Sequence, residues 1–263
     1  MWLLRFLIVV SLSTLLAAQF PVYPQPTSTS TFSCTSGQPS VLYIESNIYG
    51  NFFMAVGKII NDTSVTSTMT TNQECMCRIH CLKNPRCMAV SSEFNGNGFL
   101  CKFASLGPLE TTIDDISDRN ATYIFRHASL EGKTWGFRKD QLYYFELPNI
   151  MTFLKAKEAC KRIPGFRLVI IRSLEVMKSL HSPHRAYYLD LHKKTGGKLV
   201  WGDSTPFTNP ENIEIRYAEP FTSLSTEPFG RPIFYFYTTF LQDQSLVFPE
   251  RVICQANPSG VDW

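Results

Sequence analysis

The residues able to do chemistry in this chain are its eight cysteines, its five histidines and its scattered carboxylates. Cys75-x-Cys77-x3-Cys81, with His80 among them, offers soft ligands at close spacing and so raises the question of zinc. The spacing fits no familiar zinc pattern, and without a Cys-x-x-Cys there is no redox dithiol of the usual kind. His181-x2-His184, with Asp190 downstream, is a second constellation that could hold a metal. Ser182-Pro183 directly after His181 reads instead as a surface turn. There is no Gly-x-Ser-x-Gly, no His-Glu-x-x-His and no Gly-rich phosphate loop. The expectation is a non-enzyme with no catalytic residue, no metal site and no cofactor.

What the thiols do depends on the compartment. Trp2 to Leu16 is almost wholly apolar, interrupted by Arg5 and a few Ser and Thr, and Ala17-Ala18 follows as a small-residue cleavage site. That layout is a secretory signal peptide over 1–18, with an apolar core too short for a durable membrane anchor. An even number of cysteines in an oxidising compartment implies disulfides, so Cys34, Cys75, Cys77, Cys81, Cys87, Cys101, Cys160 and Cys254 are all expected to be oxidised. Six of them fall between 34 and 101, and the other two stand 94 positions apart. The distribution describes one stapled module followed by one closed end to end. Asn61-Asp62-Thr63 and Asn120-Ala121-Thr122 match the N-glycosylation acceptor pattern, whereas Asn257-Pro258-Ser259 is excluded by its proline.

Bulk properties narrow the partners. The 263 residues suit two modest domains, and 44% apolar against 18% charged residues leaves material for real cores. A net charge of +3, with no Lys/Arg block longer than two, argues against nucleic acid or an anionic membrane surface as the main partner. No later stretch approaches the ~18 apolar residues of a membrane span. The partner class that remains is an extracellular protein or glycan, met by a secreted, extracellular chain.

The elements that must position these residues follow from the pattern. Residues 19–33 are rich in Pro, Ser and Thr and read as an extended linker. A first domain runs over 34–127. In it Thr71-Asn72 or Ser67 caps a helix over Glu74–Leu82, whose spacing puts Cys77 and Cys81 on one face. Cys87–Phe94 and Phe99–Phe103 are strands joined at Asn95-Gly96-Asn97-Gly98. Ala128–Lys133 reads as a short junction. A second domain runs over 134–258. It begins with aromatic strands at Trp135–Phe137 and Leu142–Phe145, then an amphipathic helix over Met151–Arg162 that stops at Pro164-Gly165. A strand at Leu168–Ile171, a short helix at Ser173–Ser179 and strands at Tyr187–Leu191, Lys198–Trp201, Arg231–Phe240 and Phe248–Cys254 complete it.

Glu74, Cys77, Cys81, Pro85, Cys87, Ala89, Val90, Cys101 and the closing Ala121-Thr-Tyr-Ile-Phe-Arg126 resemble the PAN/apple family over 34–127. The resemblance implies Cys77–Cys101 and Cys81–Cys87 bonds and leaves Cys34 and Cys75 as the remaining pair, with Cys75 a departure from the family pattern. The second domain resembles C-type-lectin-like domains over 134–258. The residues that carry this are Trp135, Tyr143-Tyr144-Phe145, Ala156-x3-Cys160, Gly165-x2-Leu168-Val169, Tyr188-Leu-Asp-Leu191, Trp201-x-Asp203-Ser204 and Val252-Ile-Cys254-Gln255. This second resemblance implies a Cys160–Cys254 bond tying the first helix to the last strand.

Calcium-dependent sugar binders of that family carry a Glu-Pro-Asn or Gln-Pro-Asp triplet and a Trp-Asn-Asp triplet, because Ca²⁺ takes about six to eight oxygen ligands. At the family spacing the second triplet falls on Leu241-Gln242-Asp243, where only Asp243 keeps its carboxylate. Glu219-Pro220-Phe221 and Glu227-Pro228-Phe229 each lack the third oxygen donor. The long-loop disulfide is absent too, since Leu246 stands where the family has Cys. Asp243 is thus the one residual calcium candidate. Binding is left to aromatics on the long-loop segment, Phe207, Tyr217, Phe221 and Phe229, which either meet a ligand or pack the loop onto the core.

The expected fold class is α+β: a small disulfide-rich apple/PAN-like module, then a C-type-lectin-like module of two helices packed on antiparallel sheets with a long loop. The expected function is calcium-independent recognition of a protein or glycan through the second module. A calcium-dependent carbohydrate-binding lectin of innate immune type and a structural extracellular-matrix component are the alternatives.

Overall fold

The chain alternates short strands with few helices, and the computed structural model arranges them as α+β. It describes residues 39–46, 48–116, 120–131, 136–139, 141–180, 186–194, 198–209, 214–216, 233–237, 240–244 and 249–260. Residues 1–18 and 19–33, expected as a signal peptide and a linker, and Cys34 lie outside these residues.

In chain order the first half holds β1 (Leu42–Ile44), β2 (Phe52–Val56), β3 (Lys58–Ile60), β4 (Ser67–Thr71), α1 (Glu74–Lys83), β5 (Ala89–Phe94), β6 (Phe99–Ala104), β7 (Ile113–Asp115), β8 (Ala121–Arg126) and α2 (Ala128–Glu131). Six strands form one antiparallel sheet in the order β1-β2-β8-β5-β6-β4, and β3 pairs with β7 in a separate two-stranded ribbon. Ser67–Thr71 is spent as edge strand β4 rather than as a helix cap, because alternating β-branched Thr pairs well with β6. Gln73 takes the N-cap position of α1 and makes no side-chain cap bond. On α1, Cys77 and Cys81 face inward and bond to Cys101 and Cys87. Cys75, on the same helix, is a free cysteine, which corrects the expectation that it is oxidised. Two positions before Cys77 on the same helical turn, it points to the side opposite the buried sulfurs.

Arg126 closes the other end of α1. Its Nη2 donates to the carbonyls of Cys81 at 3.2 Å and Leu82 at 3.0 Å, and its Nε to that of Cys87 at 2.8 Å. The Cys81 and Leu82 carbonyls belong to the last turn of α1, where carbonyls lack onward helical partners, and that of Cys87 lies beyond the helix. Burial lowers the Arg126 pKa below its ordinary value.

The second half holds β9 (Gly136–Lys139), β10 (Leu142–Glu146), α3 (Phe153–Arg162), β11 (Phe166–Leu168), α4 (Leu174–Leu180), β12 (Ala186–Lys193), β13 (Leu199–Trp201), β14 (Glu214–Arg216), β15 (Ile233–Tyr237), β16 (Phe240–Gln244) and β17 (Arg251–Ala256). The main path of the sheet runs β14-β16-β15-β12-β17-β10-β9, with β11 paired to β17 and β13 to β12. Phe153, Ala156 and Cys160 are the buried face of α3, and Cys160 is bonded to Cys254 on β17. Within the strand expected over Arg231–Phe240, β15 covers Ile233–Tyr237, and a second strand antiparallel to it, β16, begins only at Phe240. The strand expected over Leu168–Ile171 ends at Leu168. Beyond it the Ile170 N–H is taken by the Gln255 side-chain oxygen at 2.9 Å, so the backbone stays satisfied without a ladder.

Ala128–Lys133, read as a junction, begins with the helical turn α2, whose Leu130 is fully buried. From Ser33 onward the chain is one compact unit. Val41, Phe53, Phe125 and Leu130 from the first half share a single core with Tyr143, Phe145, Phe166 and Leu168 from the second. Phe53 lies edge-on to Tyr143 at 5.0 Å and to Phe166 at 5.4 Å, and the His127 ring is hydrogen-bonded to the Tyr143 hydroxyl. Each fully buried ring of this size contributes roughly 1.5–3 kcal/mol. The halves are further clasped at Ser40. Its N–H donates to the Asn257 carbonyl at 2.9 Å, and its hydroxyl donates to the Gly165 carbonyl at 2.6 Å while accepting from the Asn257 N–H at 2.9 Å. Gly165 is obligatory there: its φ is +80°, and a Cβ would stand 2.4 Å from the Ser40 carbonyl oxygen.

Candidate functional site

A carboxylate in the middle of an apolar strand must find partners or lose its charge. Asp190 sits so in Tyr187-Tyr188-Leu189-Asp190-Leu191 on β12, with its side chain 7% exposed. One of its oxygens, Oδ1, accepts from Lys157 Nζ on α3 at 3.1 Å and pairs with His192 Nε2 at 2.6 Å. Phe153 holds the His192 ring edge-on at 5.6 Å. Burial pushes the Asp190 pKa up, but the His192 hydrogen bond and the Lys157 charge outweigh it and leave the carboxyl below its ordinary value. Behind it the Gly202 N–H donates to the Asp190 carbonyl at 2.6 Å, and a Cβ on Gly202 would lie 1.8 Å from Asp190 Oδ2.

Asp203 continues this cluster. Its Oδ2 accepts from Arg172 at 2.8 Å and Arg167 at 3.4 Å, and its Oδ1 from the Thr205 N–H at 3.0 Å and hydroxyl at 2.6 Å. Partial burial opposes ionisation, yet the two Thr205 hydrogen bonds and the two guanidinium charges hold its pKa down as well. Arg167, the more buried of the two arginines, has its own pKa lowered by that burial. Carboxylates engaged in this way are oriented supports and are not poised as general bases or open metal ligands. What they support is the point at which the chain leaves the sheet after β13. Of the segment between β13 and β15, residues 202–209 and the sheet strand β14 are described.

Of the residues expected to bind, Phe207 is half-buried and packs edge-on against Trp201 at 5.4 Å, against the core formed by Leu189, Leu191 and their neighbours. It packs the loop down. Tyr217, Phe221 and Phe229 lie outside the described residues. Asp243 is in β16, opposite Phe234 of β15. His181 and His184 lie outside the described residues, and the partners the structure gives Asp190 are His192 and Lys157. Among the described residues no three His, Cys, Asp or Glu side chains converge on a common point. Asn61 follows β3 and caps a 3₁₀ turn, and Asn120 is exposed just before β8.

The sequence sets Asp190 only beside His181 and His184, and no motif in it marks Lys157 or His192 as partners. The available signal is Asp190 itself, a lone charge inside an apolar strand. A groove of about 180 Å³ is lined by Leu142, Tyr144, Ile170, Arg172, Val176 and Gln255.

No family model matches this chain, and no curated protein matches it significantly. Solved structures similar to it over about half its length are C-type lectin domains. The C-type lectin domain of murine dendritic cell inhibitory receptor 2, solved in complex with N-glycan, is 16% identical, with 46% of this chain and 95% of that one aligned and a TM-score of 0.37. The carbohydrate-recognition domain of human scavenger receptor C-type lectin is 16% identical over 46% and 95%, with a TM-score of 0.38. The C-type lectin CEL-I from Cucumaria echinata is 14% identical over 46% and 93%, with a TM-score of 0.35.

Proposed function

We propose that this chain is a secreted extracellular recognition protein that binds a protein or glycan without calcium through its second half, and that it is not an enzyme. The observation that carries the reading is the scaffold around 202–232. A disulfide-closed sheet, with Asp190 and Asp203 committed to Arg, Lys, His and Thr, fixes the point from which the segment after β13 begins. Rigid elements that display a long loop are the usual way proteins build a recognition surface. Three disulfides support an oxidising, extracellular setting. Among the described residues no helix is long and apolar enough to cross a membrane. Asp243 is the only carboxylate left of the calcium triplets, against a need for about six to eight oxygens.

The test is binding of the secreted protein to a glycan array and to extracellular proteins, with and without EDTA, for wild type and Asp243→Asn. Binding that survives both EDTA and the substitution is the expected result. Sugar binding abolished by either would establish a calcium-dependent lectin instead. The absence of any ligand would leave a matrix role.

A further inference from the structure

Both glycosylation acceptor sequences fall at the two ends of one three-residue strand. Asn61 follows β3 directly, with its Oδ1 fixed by the Thr63 N–H at 3.0 Å and the Thr63 hydroxyl at 2.7 Å. One Nδ2 hydrogen goes to Asp114 Oδ2 at 2.8 Å, which leaves the second for substitution. Asn120 is exposed beside the other end of β3. The neighbouring Ala121 carbonyl accepts from the N–H of Gly57 at 2.8 Å, and Gly57 directly precedes Lys58. At roughly 3.3 Å per residue the two asparagines are about 10–15 Å apart. Between them lies the β3–β7 ribbon, whose outer strand β7 pairs with β3 alone among the described residues. Such an edge invites pairing with another chain unless it is covered.

We propose that Asn61 and Asn120 both carry N-linked glycans, and that the two glycans together cover the β3–β7 ribbon and remove this face from protein contact. The proposal rests on the secreted reading, because the donor is a lipid-diphosphate oligosaccharide of the secretory compartment. Each Nδ2 loses one proton and forms a C–N bond to the anomeric carbon of the sugar, the bond from that carbon to the diphosphate breaks, and the lipid diphosphate leaves. Asp114 keeps its hydrogen bond to the remaining Nδ2 hydrogen. Recognition is thereby assigned to surfaces of the molecule other than this ribbon.

The experiment is expression of the full chain in a secretory eukaryotic host, followed by peptide mapping before and after enzymatic release of N-glycans. Lysine acylation with a bulky reagent is measured in parallel on the native protein. The expected result is glycan on both Asn61 and Asn120. Labelling of Lys58, whose side chain is 30% exposed between them, should rise several-fold on glycan release, while that of Lys157 on α3 stays constant. An Asn61→Gln/Asn120→Gln chain that still reaches the medium should label at Lys58 as the released protein does. Secreted protein with either asparagine bare, or a Lys58 rate unmoved by glycan release, overturns the covered face and leaves the secreted reading standing. Retention of an unglycosylated chain in the cytosol overturns both.

Discussion

Replacing Gly202 by alanine should destabilise the protein through Asp190 and through little else. The added Cβ would lie 1.8 Å from Asp190 Oδ2, 2.0 Å from its Cγ and 2.4 Å from its Oδ1, so the three nearest atoms all belong to one carboxylate. That carboxylate cannot step aside freely, because Lys157 and His192 hold it at 3.1 Å and 2.6 Å. Overpacking a tight site costs about 1–3 kcal/mol. Losing hydrogen bonds to a charged group adds about 1.5–3 kcal/mol. Together Gly202→Ala should cost about 3–5 kcal/mol, a large share of an ordinary domain stability of about 5–15 kcal/mol. The assay is urea unfolding followed by fluorescence, with buried Trp201 next to the substitution as a reporter. Asp190→Ala alone should cost about 2–3 kcal/mol, since Lys157 is half-exposed and resolvates. Adding Gly202→Ala to Asp190→Ala should then cost less than about 1 kcal/mol, because the clash is gone. Additive losses in that cycle would refute the reasoning.

Three further outcomes follow from the same structure. Asp190 and Asp203 both have pKa values held below the ordinary carboxylate range, so the stability they contribute is complete above the unfolded value of about 3.9. It should be lost as pH falls through their lower folded values, and Asp190→Asn should flatten the loss seen in melting temperature below about pH 4. Replacing Cys160 and Cys254 together by alanine releases a closure spanning 94 positions and should cost about 4–5 kcal/mol by denaturant unfolding in the chain-entropy account. Alkylation of native protein without reductant should modify Cys75 and none of Cys77, Cys81, Cys87, Cys101, Cys160 or Cys254, as read by peptide mass.

What the sequence discloses here is what is local. The period of Phe153, Ala156 and Cys160 gives α3, and the Asn-Gly-Asn-Gly turn between two strand-forming runs gives the β5–β6 hairpin. Helix starts at Glu74 and Phe153 fall at or close to their expected places. β1 to β4 have no such signal: β1 is three residues long, and the partners of β2, β3 and β4, which are β8, β7 and β6, lie far along the chain. The role of Gln255 is equally silent: a polar residue beside Cys254 whose side-chain oxygen takes the Ile170 N–H just beyond the end of β11. The candidate site divides in the same way. Single residues such as Phe207 and Asp243 are visible by type, whereas the Asp190–Lys157–His192 set is assembled from α3 and β12, and the spacing of 157 and 190 carries no hint of it. The Ser40 clasp joins positions more than 200 apart and is likewise invisible to pattern.

That clasp has a mechanical meaning. Ser40 and Asn257 sit close to the two ends of the described fold and are bonded directly to each other. Tension applied between residues 39 and 260 would reach those two hydrogen bonds, and the Ser40–Gly165 contact beside them, before it reached either sheet. The load would then peel the joint open one bond at a time, which takes less force than shearing many strand bonds at once. A molecule pulled in this way yields first at its seam, and the disulfide between Cys160 and Cys254 stops the tear within the second half.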